Sequence, residues 1–202
     1  TLAQFKTTRD PLYAYLPRAR EIYDGHFPPS ELYAPEQKPS IRNPIPSLLL
    51  ALFIYIFSGN INLAYLGAQF IFSGIIFALV YWLGRALFKS QLWSVFLGLV
   101  VVLTPLALVL PFQYSSWSDF LGLSLKNFIP IVKTQVDKLY LYDLDNPLLT
   151  YPFYILALIT LYNFWAKPTA KNSVAVGISI SFLIYVYFHY WAYLTIVLFL
   201  II

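Results

Sequence analysis

The fold is decided by residues 62–84, which read NLAYLGAQFIFSGIIFALVYWLG and contain no charged residue. A helix needs about 20 predominantly apolar residues to cross the hydrocarbon core of a bilayer, and this stretch meets that requirement. The composition agrees, because 59% of the 202 residues are hydrophobic and only 11% are charged, whereas a typical soluble domain has roughly 25% charged residues. The sequence therefore predicts an all-α, polytopic transmembrane protein.

Further apolar stretches predict more membrane helices, at residues 91–111, 150–165, 173–189 and 191–202. Pro105 should kink the first of them, because proline removes a helical hydrogen bond. The uncharged run 173–202 is too long for one ordinary span. We place a break in it at the polar-aromatic cluster His189-Tyr190-Trp191, and one long tilted helix is the alternative.

The positive charges of the short loops predict the orientation. Lysine and arginine are enriched on the cytoplasmic side of membrane proteins, and two short loops carry such residues without any acid, namely Arg85 with Lys89 and Lys167 with Lys171. Residues 1–43 and 112–149 then become external loops one and two. The net charge of +4 is explained by the lysine and arginine residues that set the orientation in the membrane. The absence of a basic run argues against nucleic-acid binding.

Residues 44–61 are predicted as an external juxtamembrane helix and its turn. The apolar part, Ile45–Phe57, is short for a span, and Pro44 and Pro46 suit a first helical turn. A short true span is the alternative, and it would invert everything downstream. The chain begins without Met and ends inside an apolar run, so we interpret residues 1–202 as a single membrane domain that is the N-terminal part of a longer protein. We expect this part to be inactive alone.

The acidic residues fall in two polar islands, one in each predicted external loop. The first island carries Asp10, Glu21, Asp24, Glu31 and Glu36, and the second carries Asp119, Asp137, Asp143 and Asp145. A membrane protein with its polar residues so localised is expected to perform chemistry or recognition at one water-facing surface.

Asp10 is the first candidate for chemistry. Because Pro11 follows it, Asp10 has the features of a helix N-cap. It could equally be a carboxylate at the membrane surface that acts as a base or a metal ligand. Downstream, the spacing predicts a helix from Arg18 to Tyr23, with Gly25 as its C-cap.

Several motifs follow one another in residues 10–110. They are Asp10 with Tyr13 and Tyr15, then Arg20-Glu21-Ile22 and Gly25, then Asn43-Pro44-Ile45-Pro46-Ser47-Leu48, then Phe57-Ser58-Gly59, and finally Leu83-Gly84-Arg85-Ala86-Leu87-Phe88. In this order they resemble the C-type glycosyltransferases (GT-C), the multi-pass enzymes that use polyprenyl-phosphate-linked sugars. That superfamily includes oligosaccharyltransferases, protein O-mannosyltransferases and aminoarabinose transferases of lipid A.

The resemblance implies a glycosyltransferase that passes a sugar from a polyprenyl-phosphate-linked donor to an unidentified acceptor on the extracytoplasmic side, with inversion at the sugar carbon. It implies a location in a prokaryotic plasma membrane. It also implies that Asp10 is the catalytic carboxylate of loop one, which helps to activate the acceptor nucleophile or binds a divalent ion. It also implies that substrate is contacted by Arg18, Arg20, Glu21 and His26. In several subfamilies a second acid pairs with the first, but here Pro11 follows Asp10, so the resemblance assigns no subfamily.

External loop two offers an Asp-x-Asp pair, Asp143 and Asp145. Two carboxylates at this spacing can share a divalent ion such as Mg²⁺ or Mn²⁺, and oligosaccharyltransferases of the GT-C group carry a similar pair in this loop. The alternative is turn and cap chemistry ahead of the next helix. Lys138 could bind the phosphates of the lipid-linked donor, or it could belong to a solvated face.

His189 could line the groove for donor or acceptor, or it could be an ordinary interfacial residue at a helix end. Two other classes of function stay open at this point. A transporter or flippase of a lipid-linked solute is one, although such proteins usually place ionisable residues within their spans, and these spans have no Asp, Glu, Lys or Arg. A non-catalytic membrane scaffold is the other.

Overall fold

A computed structural model describes residues 16–30, 44–103 and 147–201. These residues contain seven α-helices: α1 (Leu16–Tyr23), α2 (Pro44–Ile56), α3 (Ile61–Phe88), α4 (Gln91–Leu103), α5 (Tyr151–Ala166), α6 (Ala170–Val186) and α7 (Phe188–Ile201). The prediction of an all-α protein is confirmed for this part of the chain.

Helix α3 is long and apolar enough to cross a membrane, and it is the only helix among the described residues that passes this test of length and composition. Only 28% of its most apolar 18-residue stretch is buried inside the protein, whereas the core helix of a soluble protein would be mostly covered. Helices α2, α4, α6 and α7 are apolar but shorter. A multi-pass arrangement and its orientation stay predictions.

Helix α3 is longer than the sequence predicts. It continues past residue 84 to Phe88, so Arg85 lies in its last turn and only Lys89 and Ser90 separate it from α4. The reversal is made at Lys89, which has a φ of +55°, a left-handed conformation that ends a helix sharply. The predicted kink at Pro105 lies outside the described residues.

The predicted break in the C-terminal apolar run exists, but it lies at Tyr187 instead of His189-Tyr190-Trp191. Tyr187 is extended, with φ −161° and ψ 107°, and α7 begins at the next residue. The polar-aromatic cluster therefore occupies the first turn of α7. A single long helix over 173–202 is ruled out. The side chains of the cluster are compatible with a first helical turn, which is why composition misplaced the break.

The described residues divide into two compact units. The first unit contains α1, α2, α3 as far as Phe72, and α5 to α7. The second contains α3 from Ser73 onwards and α4.

In the first unit, α2 packs against α1 and against α6, and α6 also packs against α5 and α7. Ala157, Leu183 and Leu194, one from each of the last three helices, form a buried cluster. A polar contact joins two of these helices, because the hydroxyl oxygens of Thr160 and Ser179 lie 2.7 Å apart. Such hydroxyl pairs are common where membrane helices meet.

In the second unit, glycines allow α3 and α4 to approach closely. A Cβ built on Gly84 would lie 3.1 Å from the Cα of Ser94, and one built on Gly98 would lie 2.8 Å from the ring of Phe77. Ser94 is fully buried, and its hydroxyl donates to the carbonyl of Ser90 at 2.6 Å. Small residues at a helix–helix contact are typical of membrane proteins, since there the helices gain mainly from close van der Waals packing.

Candidate functional site

The first part of the candidate site is α1 together with the turn that ends it. The amide of His26 donates to the carbonyl of Glu21 at 2.9 Å, and the amide of Gly25 donates to that of Ile22 at 3.1 Å. Gly25 has a φ of +94°. This pair of bonds around a left-handed glycine is the Schellman motif, so the predicted helix end with Gly25 as its cap is confirmed.

The two arginines of α1 have different surroundings. Arg18 is 4% exposed, although arginine is rarely so buried. Arg20 is on the surface, where its Nε donates to Oδ2 of Asp24 at 3.0 Å and its guanidinium carbon lies 4.8 Å from the centre of the Tyr23 ring. An exposed pair of this kind contributes at most about 1 kcal/mol. The two residues that the resemblance places at the substrate therefore do not share one face.

Glu21 has a structural contact. Its Oε2 accepts a hydrogen bond from the backbone amide of Ser30 at 2.6 Å, so the segment that follows α1 is tied back onto the helix. A hydrogen bond to an ionised carboxylate is among the stronger ones in proteins. His26 begins this tied segment, and its side chain is exposed.

The end of α1 adjoins the turn between α2 and α3. A Cβ built on Gly59 would lie 3.2 Å from the hydroxyl oxygen of Tyr23. Ser58 and Gly59 have φ values of +51° and +83°, and the Oδ1 of Asn60 accepts the amide of Leu63 at 3.2 Å. The turn is thus fixed by two left-handed residues and an N-cap, and Tyr23 lies against it.

The second part is an aromatic corner made by Tyr151, Tyr154, Tyr187, His189 and Tyr190. The ring centre of Tyr190 lies 4.9 Å from that of Tyr154, 5.0 Å from that of Tyr187 and 6.3 Å from that of Tyr151. These contacts bring the start of α5 beside the junction of α6 and α7. The exposed ring of His189 lies 5.1 Å from that of Tyr187.

Four predicted site residues, Asp10, Lys138, Asp143 and Asp145, lie outside the described residues. The described residues thus test neither the catalytic acid nor the proposed ligands of a divalent ion. In residues 16–30, 44–103 and 147–201, no three of His, Asp and Glu come together in a way that could hold a metal ion. Of the other predicted residues, Arg18, Arg20, Glu21 and His26 lie on α1 and its turn, and His189 lies at the aromatic corner.

Sequence reasoning missed two features of this unit. It gave no role to Tyr23, whose hydroxyl lies against Gly59 in the turn that follows α2. It also missed Ser47, which is 1% exposed and whose hydroxyl has no hydrogen-bond partner among the described residues. The aromatic corner could have been found, since three of its five residues lie within residues 187–190.

Comparison of the chain with models of protein families, with curated proteins and with solved structures finds no match.

Proposed function

We propose that the protein is a membrane glycosyltransferase of GT-C type, which transfers a sugar from a polyprenyl-phosphate-linked donor to an acceptor on the extracytoplasmic side. The observation that carries the proposal is the contact of Tyr23 with Gly59. It joins two motifs on which the resemblance rests, the helix with Arg20-Glu21-Ile22 and the turn Phe57-Ser58-Gly59, which are more than 30 residues apart in the sequence.

Chain order further supports a common location for Asp10 and Asp145. Asp10 lies six residues before Leu16 in the sequence, and Asp145 lies two residues before Pro147. Leu16 and Pro147 both belong to the first compact unit, and residues 148–150 are fully or almost fully buried.

In the proposed reaction the acceptor oxygen attacks the anomeric carbon of the donor sugar. A bond forms between these two atoms, and the bond from the anomeric carbon to the phosphate oxygen breaks, which inverts the carbon and releases polyprenyl phosphate. The carboxylate of Asp10 takes the proton of the acceptor. A base positioned for such a transfer contributes about 10²- to 10⁴-fold to the rate.

Asp143 and Asp145 would hold a divalent ion, Mg²⁺ or Mn²⁺, if the enzyme uses one. Oxygen ligands suit such ions, and the bound ion would offset the negative charge of the donor phosphates. Lys138 would bind the same phosphates as a point charge.

The experiment uses the full-length protein in proteoliposomes with a labelled polyprenyl-phosphate sugar. We expect D10N and D10A to lower the rate of sugar transfer about 100-fold or more at normal protein level. E36Q is the matched control, because it removes one carboxylate charge from the same predicted loop at a position that has no proposed role. Unchanged transfer by D10N would refute the role of Asp10. Movement of the labelled lipid without a covalent product would indicate transport.

The shared compartment of the two islands can be tested separately. Residues 1–202 contain no cysteine, so T8C and N146C each add a single thiol to this part of the protein. A membrane-impermeant maleimide should label both from outside intact cells, and it should label K171C only after permeabilisation. Labelling of T8C and N146C from opposite sides would exclude a common site.

A further inference from the structure

The turn between α3 and α4 has a distinct surface that the proposed reaction does not use. We call it the α3–α4 tip, and its residues are Trp82, Arg85, Phe88, Lys89, Leu92 and Trp93. Both cations lie at the end of α3, four residues apart, and the amide of Lys89 donates to the carbonyl of Arg85 at 3.2 Å. This backbone bond holds the two basic residues one turn apart at the point where the chain leaves α3.

Large apolar side chains surround these charges and are open to the exterior. Trp82 is 56% exposed, Trp93 58% and Leu92 77%, and Phe88 is about half exposed as well. Tryptophan is enriched at the membrane–water boundary, because its ring is apolar and its N–H can still donate a hydrogen bond. Two such residues beside a pair of cations therefore match the depth at which lipid headgroups lie.

The close contact of Gly84 with Ser94 fixes the two helices next to each other at this end. Trp82 lies two residues before Gly84 and Trp93 one residue before Ser94, so the backbone at both tryptophans belongs to this closely packed pair of helices.

The charge of the tip is not balanced by nearby acids in the sequence. Residues 37–118 contain no Asp or Glu, so the described part of the second compact unit, residues 73–103, contains no acid. A guanidinium binds phosphate through two parallel hydrogen bonds, and an ammonium adds a point charge. The complementary group is an anionic phosphate with an apolar tail.

We propose that the α3–α4 tip binds the headgroup of an anionic phospholipid, with phosphatidylglycerol as the representative chemistry. The phosphate lies between Arg85 and Lys89, the indoles of Trp82 and Trp93 lie at the level of the glycerol, and Leu92 contacts the acyl chains. This binding is independent of the reaction that the external loops perform.

The test uses the full-length protein with Q91C, an exposed position at the tip, labelled with a fluorophore and reconstituted in phosphatidylcholine vesicles. Energy transfer is measured to a trace of headgroup-labelled phosphatidylglycerol or phosphatidylcholine. We expect phosphatidylglycerol to be enriched near the tip about fivefold for each cation, since one basic residue near a membrane surface attracts anionic lipid to about that extent.

R85Q/K89Q in the same background should abolish the enrichment. K167Q/K171Q removes two positive charges from the end of α5 and the start of α6 and should leave the enrichment of phosphatidylglycerol unchanged. Salt at about 0.5 M should reduce the enrichment in the unmodified tip, because it screens the charges, and this measurement needs no charge variant to fold. Equal transfer to both lipids in the unmodified tip, or an enrichment that survives R85Q/K89Q, would overturn the proposal.

Discussion

The hydroxyl oxygen of Tyr23 lies where a side chain on Gly59 would begin, because a Cβ built there would be 3.2 Å from it. The two residues come from α1 and from the turn after α2, so one close approach fastens the helix of predicted loop one to the predicted juxtamembrane helix. Gly59 also has a φ of +83°, a backbone conformation that residues with a Cβ rarely adopt.

We therefore expect G59A to lower the free energy of unfolding by about 1–2 kcal/mol, from the left-handed backbone and the crowding of Tyr23. Y23F should recover the part that is due to crowding. Thermal unfolding in detergent measures both effects. G177A is the control, because nothing lies within 4 Å of a Cβ at that helical position. Equal stability of G59A and G177A would show that Tyr23 is not held against the turn.

A second prediction concerns the contact of α3 with α4. A Cβ on Gly98 would lie 2.8 Å from the Phe77 ring, so G98A should destabilise the protein by about 1–3 kcal/mol through overpacking. F77L in the G98A background should restore part of the loss. G74A, on α3 with open space around it, should be neutral or stabilising by up to about 1 kcal/mol. Chemical unfolding in mixed micelles compares the variants, and a G98A protein as stable as G74A would argue against this contact.

The pairing of Thr160 with Ser179 can be measured by a double-mutant cycle. Their hydroxyl oxygens are 2.7 Å apart, and each also lies within hydrogen-bonding distance of a carbonyl of its own helix, at Ala157 and Val176. Each hydroxyl has a single hydrogen to donate, so the two hydroxyls form at most two of these three hydrogen bonds at the same time.

We expect T160V and S179A to be coupled by about 0.6 kcal/mol, the average for hydrogen bonds between membrane helices. S173A provides the comparison, since Ser173 is exposed on the same helix as Ser179 and should combine additively with T160V. Unfolding free energies in detergent give the coupling. Strict additivity of T160V with S179A would contradict a bond between α5 and α6.

A fourth prediction separates two roles of Glu21. If its main role is to accept the amide of Ser30, E21A should lower stability by about 1.5–3 kcal/mol, and E21Q by less, because an amide oxygen still accepts. The KM for the donor should then change little in E21Q. A raised KM in both variants with unchanged thermal unfolding would instead assign Glu21 to substrate binding. Unfolding curves and transfer kinetics on the same preparations give both readouts.

The fold was predictable where local chemistry determines it. Gly25 ends α1 because glycine tolerates a positive φ, and Pro44 and Pro46 begin α2 because proline suits a first helical turn. Such signals depend on a few neighbouring residues, so the sequence displays them. The end of α3 was misplaced, since Arg85 was read as the start of a loop although a long side chain fits the last turn of a helix equally well.

Contacts between distant residues were not predictable. Nothing near Tyr23 indicates that its ring lies against Gly59, and nothing near Thr160 indicates Ser179 as its partner, because both contacts follow from how helices pack. The candidate site was predictable only as a list of residue types. The burial of Arg18 and the bond between Glu21 and Ser30 depend on the tertiary structure.

Because α6 and α7 meet at Tyr187, the packing of α7 against α6 depends on how many residues lie between this junction and Leu194. One residue separates α6 from α7. Leu194 is the seventh residue of α7, and this position places its side chain on the side of the helix that packs against Leu183. Loss of a single codon between Phe188 and Leu194 would rotate the remainder of α7 by about 100°. Lineages of this protein should therefore accept substitutions at the exposed positions of this segment, such as Tyr193, while rejecting changes of length.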